Sequence, residues 1–129
     1  MAYPTGSGTE ILARATIDGQ QNDPTALRWD GTPATVGTET YAVPALHIIT
    51  VLNISISEKA GTTNQGFYLW MYNGTSDVYI MDDTLLPADS TFIYNDKIVL
   101  IGGDRLEIVG YQATDIDVVC NYIDQNWED

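Results

Sequence analysis

One histidine and one cysteine limit what this chain can catalyse. His47 is the only imidazole and Cys120 the only thiol among 129 residues. Imidazole is the side chain that moves protons most readily near neutral pH, so Ser-His-Asp and Cys-His schemes would all have to pass through His47. That residue opens the apolar stretch His47-Ile48-Ile49-Thr50-Val51-Leu52, and no nucleophile motif stands elsewhere. It reads as a partly buried strand residue bonded to backbone. Zinc is excluded on the same count, because one Cys and one His cannot complete a structural site without several carboxylates. Cys120 lies in an apolar run, where an inert buried thiol is the default, and a lone cysteine forms no disulfide within the chain.

Carboxylates are the remaining source of chemistry. A glycosidase needs only two, and Asp82-Asp83, Asp104, Asp115 and Asp117 are the candidates. Most stand at strand ends, where Asp commonly serves turns. A Ca²⁺ ion between two such loops stays open, since hard cations need only oxygen ligands. Asp115-Ile116-Asp117, however, lacks the further ligands and the glycine of an EF-hand. Gly6-Ser7-Gly8 is followed neither by a helix nor by Lys-Ser/Thr, so it is not a phosphate cradle. Asn53-Ile54-Ser55 and Asn73-Gly74-Thr75 match the glycosylation sequon by chance, given that the first eight residues have no basic or apolar signal region. The residues nominate no catalytic, cofactor-binding or metal site and no cofactor, and the chain is expected not to be an enzyme.

The aromatic residues point to binding. In Phe67-Tyr68-Leu69-Trp70-Met71-Tyr72, the residues Phe67, Leu69 and Met71 share one face of a strand, while Tyr68, Trp70 and Tyr72 share the other. A half-exposed antiparallel strand alternates apolar with polar; this one is apolar on both faces. Either both faces are covered within the domain, Trp29 and its loop being the candidate cover, or one docks on another subunit. An aromatic platform for carbohydrate is a third reading. Tyr and Trp are enriched at protein interfaces, so Trp29, Tyr68, Trp70 and Tyr72 are the interface candidates.

The elements that position these residues are strands. Two-residue alternation recurs from Thr40 to Ile123, and helical periodicity is almost absent. Strands are expected over Thr9–Ile17, Thr40–Ala45, His47–Ser57, Phe67–Tyr72, Asp77–Met81, Thr91–Tyr94, Lys97–Ile101, Arg105–Tyr111 and Ile116–Ile123. Asn73-Gly74 is the strongest hairpin signal. In the long strand, Ile48, Leu52, Ile54 and Ile56 are expected on one face with Thr50. Met1–Gly8 reads as an extended arm, and Asp18–Thr38, rich in Gly, Pro, Thr, Asn and Asp, as a long loop pinned by Trp29. The predicted fold is a single all-β domain over residues 9–129: an antiparallel β-sandwich or jelly roll of about eight strands with an extended N-terminal arm.

Charge restricts the partners. Five Lys and Arg face eighteen Asp and Glu, for a net charge of −13. Phosphate binding needs clustered cations, and Arg14, Arg28, Lys59, Lys97 and Arg105 are scattered, so nucleic acid and an anionic membrane are both excluded as partners. No run of about eighteen apolar residues is present to span a bilayer.

Several fragments together resemble small virion structural proteins of tailed bacteriophages, especially those of marine bacteria. They are Gly6-Ser7-Gly8-Thr9-Glu10, His47-Ile48-Ile49-Thr50-Val51-Leu52 leading into Ile54-Ser55, Leu86-Pro87-Ala88-Asp89-Ser90-Thr91-Phe92 with Asn95-Asp96-Lys97, Gly103-Asp104-Arg105-Leu106, and Asp117 to Trp127. The resemblance covers roughly residues 6–17 and 47–127. It implies a β-sandwich particle component without catalytic residues, located in the virion after assembly in the host cytoplasm. Its partners would be the major capsid protein or other virion proteins and further copies of itself, as a homo-oligomer with a trimer favoured. A capsid decoration (cement) protein on the outer surface of the head is the first expectation; a tail, baseplate or fibre component in host-surface adhesion is the alternative.

Overall fold

A computed structural model describes residues 8–20, 22–61, 65–111 and 115–127. Within them the chain forms strands β1 (Thr9–Gln20), β2 (Thr25–Ala26), β3 (His47–Glu58), β4 (Gln65–Tyr72), β5 (Asp77–Leu86), β6 (Thr91–Tyr94), β7 (Ile98–Ile101), β8 (Arg105–Gly110) and β9 (Ile116–Asn126). Among the described residues no helix is long and apolar enough to cross a membrane. One sheet runs β1-β9-β3-β6, with β7 also on β3; the other runs β2-β8-β4-β5. All pairings between these strands are antiparallel. The pairs nest: β1 with β9, β2 with β8, β3 with β6 and β7, β4 with β5. This is the connectivity of a jelly roll, in which a long hairpin wraps into two packed sheets. The all-β sandwich read from the alternation is therefore the fold.

The core lies between the sheets. Ile49, Val51, Ile54 and Ile56 of β3 meet Phe67 and Leu69 of β4, Leu106 and Ile108 of β8, and Val118, Cys120 and Tyr122 of β9, all buried. The phase of β3 departs from the simple alternation. Its register with β9 slips between Val51 and Asn53. The bulge inserts one residue and brings Ile49 and Val51 onto the face of Ile54 and Ile56. Ile48, Thr50 and Leu52, expected in phase with Ile54, are only half-buried.

Three other elements differ from expectation. Thr40–Ala45 forms no strand; Val43 N–H donates to the Asp104 carbonyl (2.8 Å) and its own carbonyl accepts from Gly103 N–H (2.9 Å), and the Arg28 guanidinium covers the Tyr41 ring at 3.7 Å. β5 continues through Asp82-Asp83 to Leu86, because Asp83 takes a left-handed φ of 47° at a register shift and absorbs a bulge rather than a turn. The loop from Asp18 to Thr38 contains the end of β1 and all of β2, joined to β8 at Thr25↔Ile108 and Ala26↔Glu107. Of the expected arm, residues 1–7 lie outside the described residues.

The Asn73-Gly74 signal marks a real hairpin. Asn73 Oδ1 accepts the N–H groups of Thr75 and Ser76, both at 3.0 Å, and Gly74 supplies the left-handed φ of 91°. The resulting turn joins Tyr72 to its partner Asp77.

Trp29 closes one end of the core. It is 6% exposed and meets Tyr122 edge to face, with ring centroids 4.9 Å apart. Its indole N–H is buried with no acceptor among the described residues, so the ring contributes by packing alone. Trp29→Ala is expected to lower the unfolding free energy by about 3–5 kcal/mol, read as a fall in the urea midpoint at unchanged slope. Ile93→Ala, at a site 58% exposed on the outer surface, should stay within ~0.5 kcal/mol.

Candidate functional site

The outer face of the β2-β8-β4-β5 sheet carries a group of aromatic rings. Along β4, Phe67 and Leu69 turn inward to the core, so Tyr68, Trp70 and Tyr72 turn outward. The register sets Trp70 between Tyr79 of β5 and Glu107 of β8, and Tyr72 opposite Arg105. The rings form a connected group: Trp70 and Tyr79 lie 5.6 Å apart, Tyr68 and Tyr79 6.2 Å, and Tyr68 and Tyr111 6.4 Å. The Arg105 guanidinium covers Tyr72 at 4.2 Å, a cation–π contact.

The middle of this face is dry and its edges are open. Trp70 is 6% exposed and Glu107 only 2%, whereas Tyr79 is 52% and Tyr111 43% exposed. Trp70 Nε1 donates to Glu107 Oε2 at 3.2 Å, and Arg105 Nε stands 3.5 Å from the same oxygen. Glu107 thus bonds the indole and pairs electrostatically with the guanidinium through the same oxygen, while Arg105 Nε itself makes no hydrogen bond among the described residues. Its carboxyl is held above the ordinary carboxylate range. Burial is the main cause; Glu39 and Asp77 push the same way, while Arg105 and the Trp70 indole oppose them. Tyr68 is raised as well, by burial first and then by Asp83 and Asp82. The platform is therefore aromatic at its centre and acidic at its rim.

Three of the four interface candidates, Tyr68, Trp70 and Tyr72, come together on this face. Trp29 does not: it packs on the opposite sheet, inside the sandwich. Tyr79, Tyr111, Arg105 and Glu107 complete the face without having been singled out in the sequence. Tyr79 carried a signal in the alternation Val78-Tyr79-Ile80-Met81, but its place beside Trp70 depends on the cross-strand register.

Most of the chemistry-bearing residues make contacts within the fold. His47 Nδ1 and Asp124 Oδ1 lie 2.8 Å apart, both side chains 14% exposed, and tie the start of β3 to the end of β9. Of the carboxylates weighed for calcium, Asp117 and Asp115 lie beside a cation: Lys59 Nζ stands 2.8 Å from Asp117 and 4.0 Å from Asp115, and it also reaches Asp18 at 2.9 Å. That ammonium is held above its usual range by hydrogen bonds to Asp117 and Asp18. Burial opposes the ionised form of Asp117, but Lys59 and the Gly19 N–H prevail and lower its pKa. Asp104 accepts the Ile101 N–H at 3.0 Å and closes a turn. Asp82 and Asp83 are exposed on β5. Cys120 is buried at the centre of β9, and burial pushes its thiol up to about 12.

Two cavities lie away from the aromatic face. One of about 440 Å³ is lined by Met71, Asn73, Val99 and Asp104, the other of about 310 Å³ by Ile11, Trp29, Tyr122 and Asp124.

No family model and no curated protein matches the chain. Among solved structures, it is similar to a chain of the disulfide-linked pili that form Bacillus endospore appendages. That match has a TM-score of 0.53 at 15% identity over 99% of this chain and 97% of that one. It is also similar to a chain of infectious bursal disease virus, Gx strain, with a TM-score of 0.52 at 13% identity over 94% of this chain and 34% of that one. At these identities the likeness is one of fold.

The buried Glu107 gives a pH prediction. Because its native pKa is raised, the native state takes up the proton more readily than the unfolded chain. Its contribution to stability is full below the ordinary value of 4.5 and is lost as pH rises through the native value. Glu107→Gln keeps an acceptor for the Trp70 indole and removes the ionisation. Denaturant midpoints should therefore show the variant gaining on the parent protein as pH rises from about 4.5 to 7; a constant difference would contradict the assignment.

Proposed function

We propose that this chain is a structural protein of a tailed-bacteriophage particle, a decoration or cement protein that docks on the outer surface of the head. The observation that carries this reading is the aromatic face, open at Tyr79 and Tyr111 around a buried Trp70. Tyr68, Trp70, Tyr72, Tyr79 and Tyr111 form one surface, anchored by a buried Trp–Glu hydrogen bond and rimmed by Asp77, Asp82 and Asp83. Such a surface has features of a protein-binding hot spot: exposed tyrosine rings, Tyr79 and Tyr111, held by a rigid buried tryptophan and surrounded by polar groups. Its acidic rim favours a partner with basic or neutral groups at the contact, and the net charge of −13 keeps the protein off packaged nucleic acid.

Two further observations support a role in an assembly. The sequence fragments resemble those of virion proteins, and the same fold serves in a pilus and in a virus particle in the two structures above. The likeness to disulfide-linked pili does not extend to the linkage, since the only cysteine here is buried in the core.

A tail, baseplate or fibre role in host-surface adhesion is the second reading. The exposed rings of Tyr79 and Tyr111 favour it, because open aromatic faces also stack on sugars. Trp70 itself offers no open face for stacking, being covered by its neighbours.

The two readings separate by copy number and by ligand. On the decoration reading, purified particles carry the chain in a fixed stoichiometric ratio to the major capsid protein. Tyr79→Ala then weakens binding of the isolated protein to undecorated heads by about 2 kcal/mol, roughly thirtyfold in Kd, while its own unfolding midpoint changes little. A few copies per particle, with glycan binding lost in Tyr79→Ala, would replace the decoration reading with the adhesion one.

A further inference from the structure

From the open edge of β1 we infer that the protein pairs with a second copy of itself, antiparallel and centred on Leu12, so that the two five-stranded sheets become one continuous sheet. This contact is separate from the aromatic face and stands whether or not the reading of that face holds.

The edge is open in a defined place. Among the described residues, β1 pairs with β9 on one side only. On the other side, Ala34 N–H donates to the Thr16 carbonyl at 3.0 Å and bridges Ile17, which closes the edge from Thr16 onward. That bond also fixes which backbone groups face outward. In an antiparallel strand, residues alternate between bonding one neighbour and bonding the other. The Thr16 carbonyl points away from β9, and the register has no break before Ile17. Arg14, Leu12 and Glu10 therefore present their N–H and C=O groups along the open edge. Exposed, unpaired strand edges of this kind attract another strand unless they are blunted. This one carries neither proline nor bulge between Thr9 and Ile17.

The side chains select the occupant and the register. Thr9 to Leu12 are all exposed, Ile11 at 59% and Leu12 at 73%. Ala13 and Ala15, which follow Ile11 on the core-facing side, are small. With Leu12 opposite Leu12 of the partner subunit, Glu10 falls opposite Arg14 of the partner subunit, and Arg14 opposite Glu10 of the partner subunit. Ile11 falls opposite Ala13 of the partner subunit, so a large side chain meets a small one. Each outward-facing backbone group meets one that also faces outward, as the ladder requires. Centring on Ile11 or Ala13 instead sets Leu12 against Glu10 or against Arg14 and leaves the charges without opposites. Cross-strand pairs of opposite charge stabilise, and like charges directly opposite destabilise. The strand is thus complementary to itself in one register. In a chain this acidic, the placement of one of its five cations here is what makes a self-contact electrostatically favourable.

Mass measured by light scattering across a dilution series tests the inference on the full chain. The parent protein should run as a dimer. Arg14→Glu and Glu10→Arg should each raise the dimer dissociation constant by roughly tenfold or more, because each sets like charges opposite one another twice. The combined Glu10→Arg/Arg14→Glu swap should restore the dimer. Leu12→Pro removes an edge N–H without touching the β9 ladder and should give a folded monomer, with folding checked by the unfolding midpoint. A trimeric or monomeric parent protein would overturn the inference, as would a dimer that survives both single reversals. A dimer that dissociates in Tyr79→Ala, with the single charge reversals having no effect, would also overturn it and assign the contact to the aromatic face.

Discussion

Everything else in the molecule depends on β9 being bonded along both edges. Ile116–Asn126 pairs with β1 from Thr9↔Asn126 to Gln20↔Ile116, and with β3 from His47↔Asn126 to Glu58↔Ile116. The first and third strands are thus held together through the ninth, and the main sheet cannot close until the described chain is nearly complete. Most of its pairings link residues far apart in sequence, so loop-closure entropy must be met before the core forms. The inward row Ile116, Val118, Cys120 and Tyr122 then contributes to the core under Trp29 and opposite Leu106 and Ile108. Both exposed surfaces follow from this arrangement. With β9 interior, β1 is left as an edge; with the second sheet packed through Phe67 and Leu69, the other side of β4 is left facing out.

An acidic chain has to place its carboxylates without unfolding itself, and this one does so in two ways. Most stay in solvent. A few are brought in and set to bond backbone: Glu58 accepts from the N–H of Asp115 at 3.2 Å and from that of Ala60, and Asp104 from that of Ile101. Gln20 plays the same part without charge, accepting the Gly110 N–H at 2.6 Å. Buried polar atoms with partners stabilise a sandwich end where a free carbonyl or N–H would not. Glu107 is the exception. It bonds an indole rather than backbone, and among the described residues its carboxyl is the one pushed above the usual range.

The sequence made the strands legible because alternation is a local property. His47–Ser57, Phe67–Tyr72 and Thr91–Tyr94 stand within two residues of their expected bounds, and the split of β4 into an inward and an outward row is as read. What could not be read were the places where one extra residue changes the phase. The bulge after Val51 puts Ile49 rather than Ile48 in the core, and Asp83 extends β5 past the point where two adjacent carboxylates resemble a turn. The aromatic face was half legible. Tyr68, Trp70 and Tyr72 lie within one strand, but Tyr79, Arg105 and Glu107 join them only through cross-strand register, which no local pattern encodes. Trp29 was read as the pin of its loop and as one candidate cover for β4; a tryptophan isolated among polar residues signals that it will be covered, not which sheet covers it.

The single cysteine has a consequence beyond its inertness. Cys120 sits at the middle of the doubly bonded strand, opposite Ala15 on one side and Ile54 on the other, and it is fully buried. A thiol reagent can reach it only when β9 parts from a neighbour or the two sheets separate. The rate of its modification therefore clocks the opening of the sandwich from within, with no label introduced. On the assembled particle, the same clock would show how far a docked partner holds the protein shut.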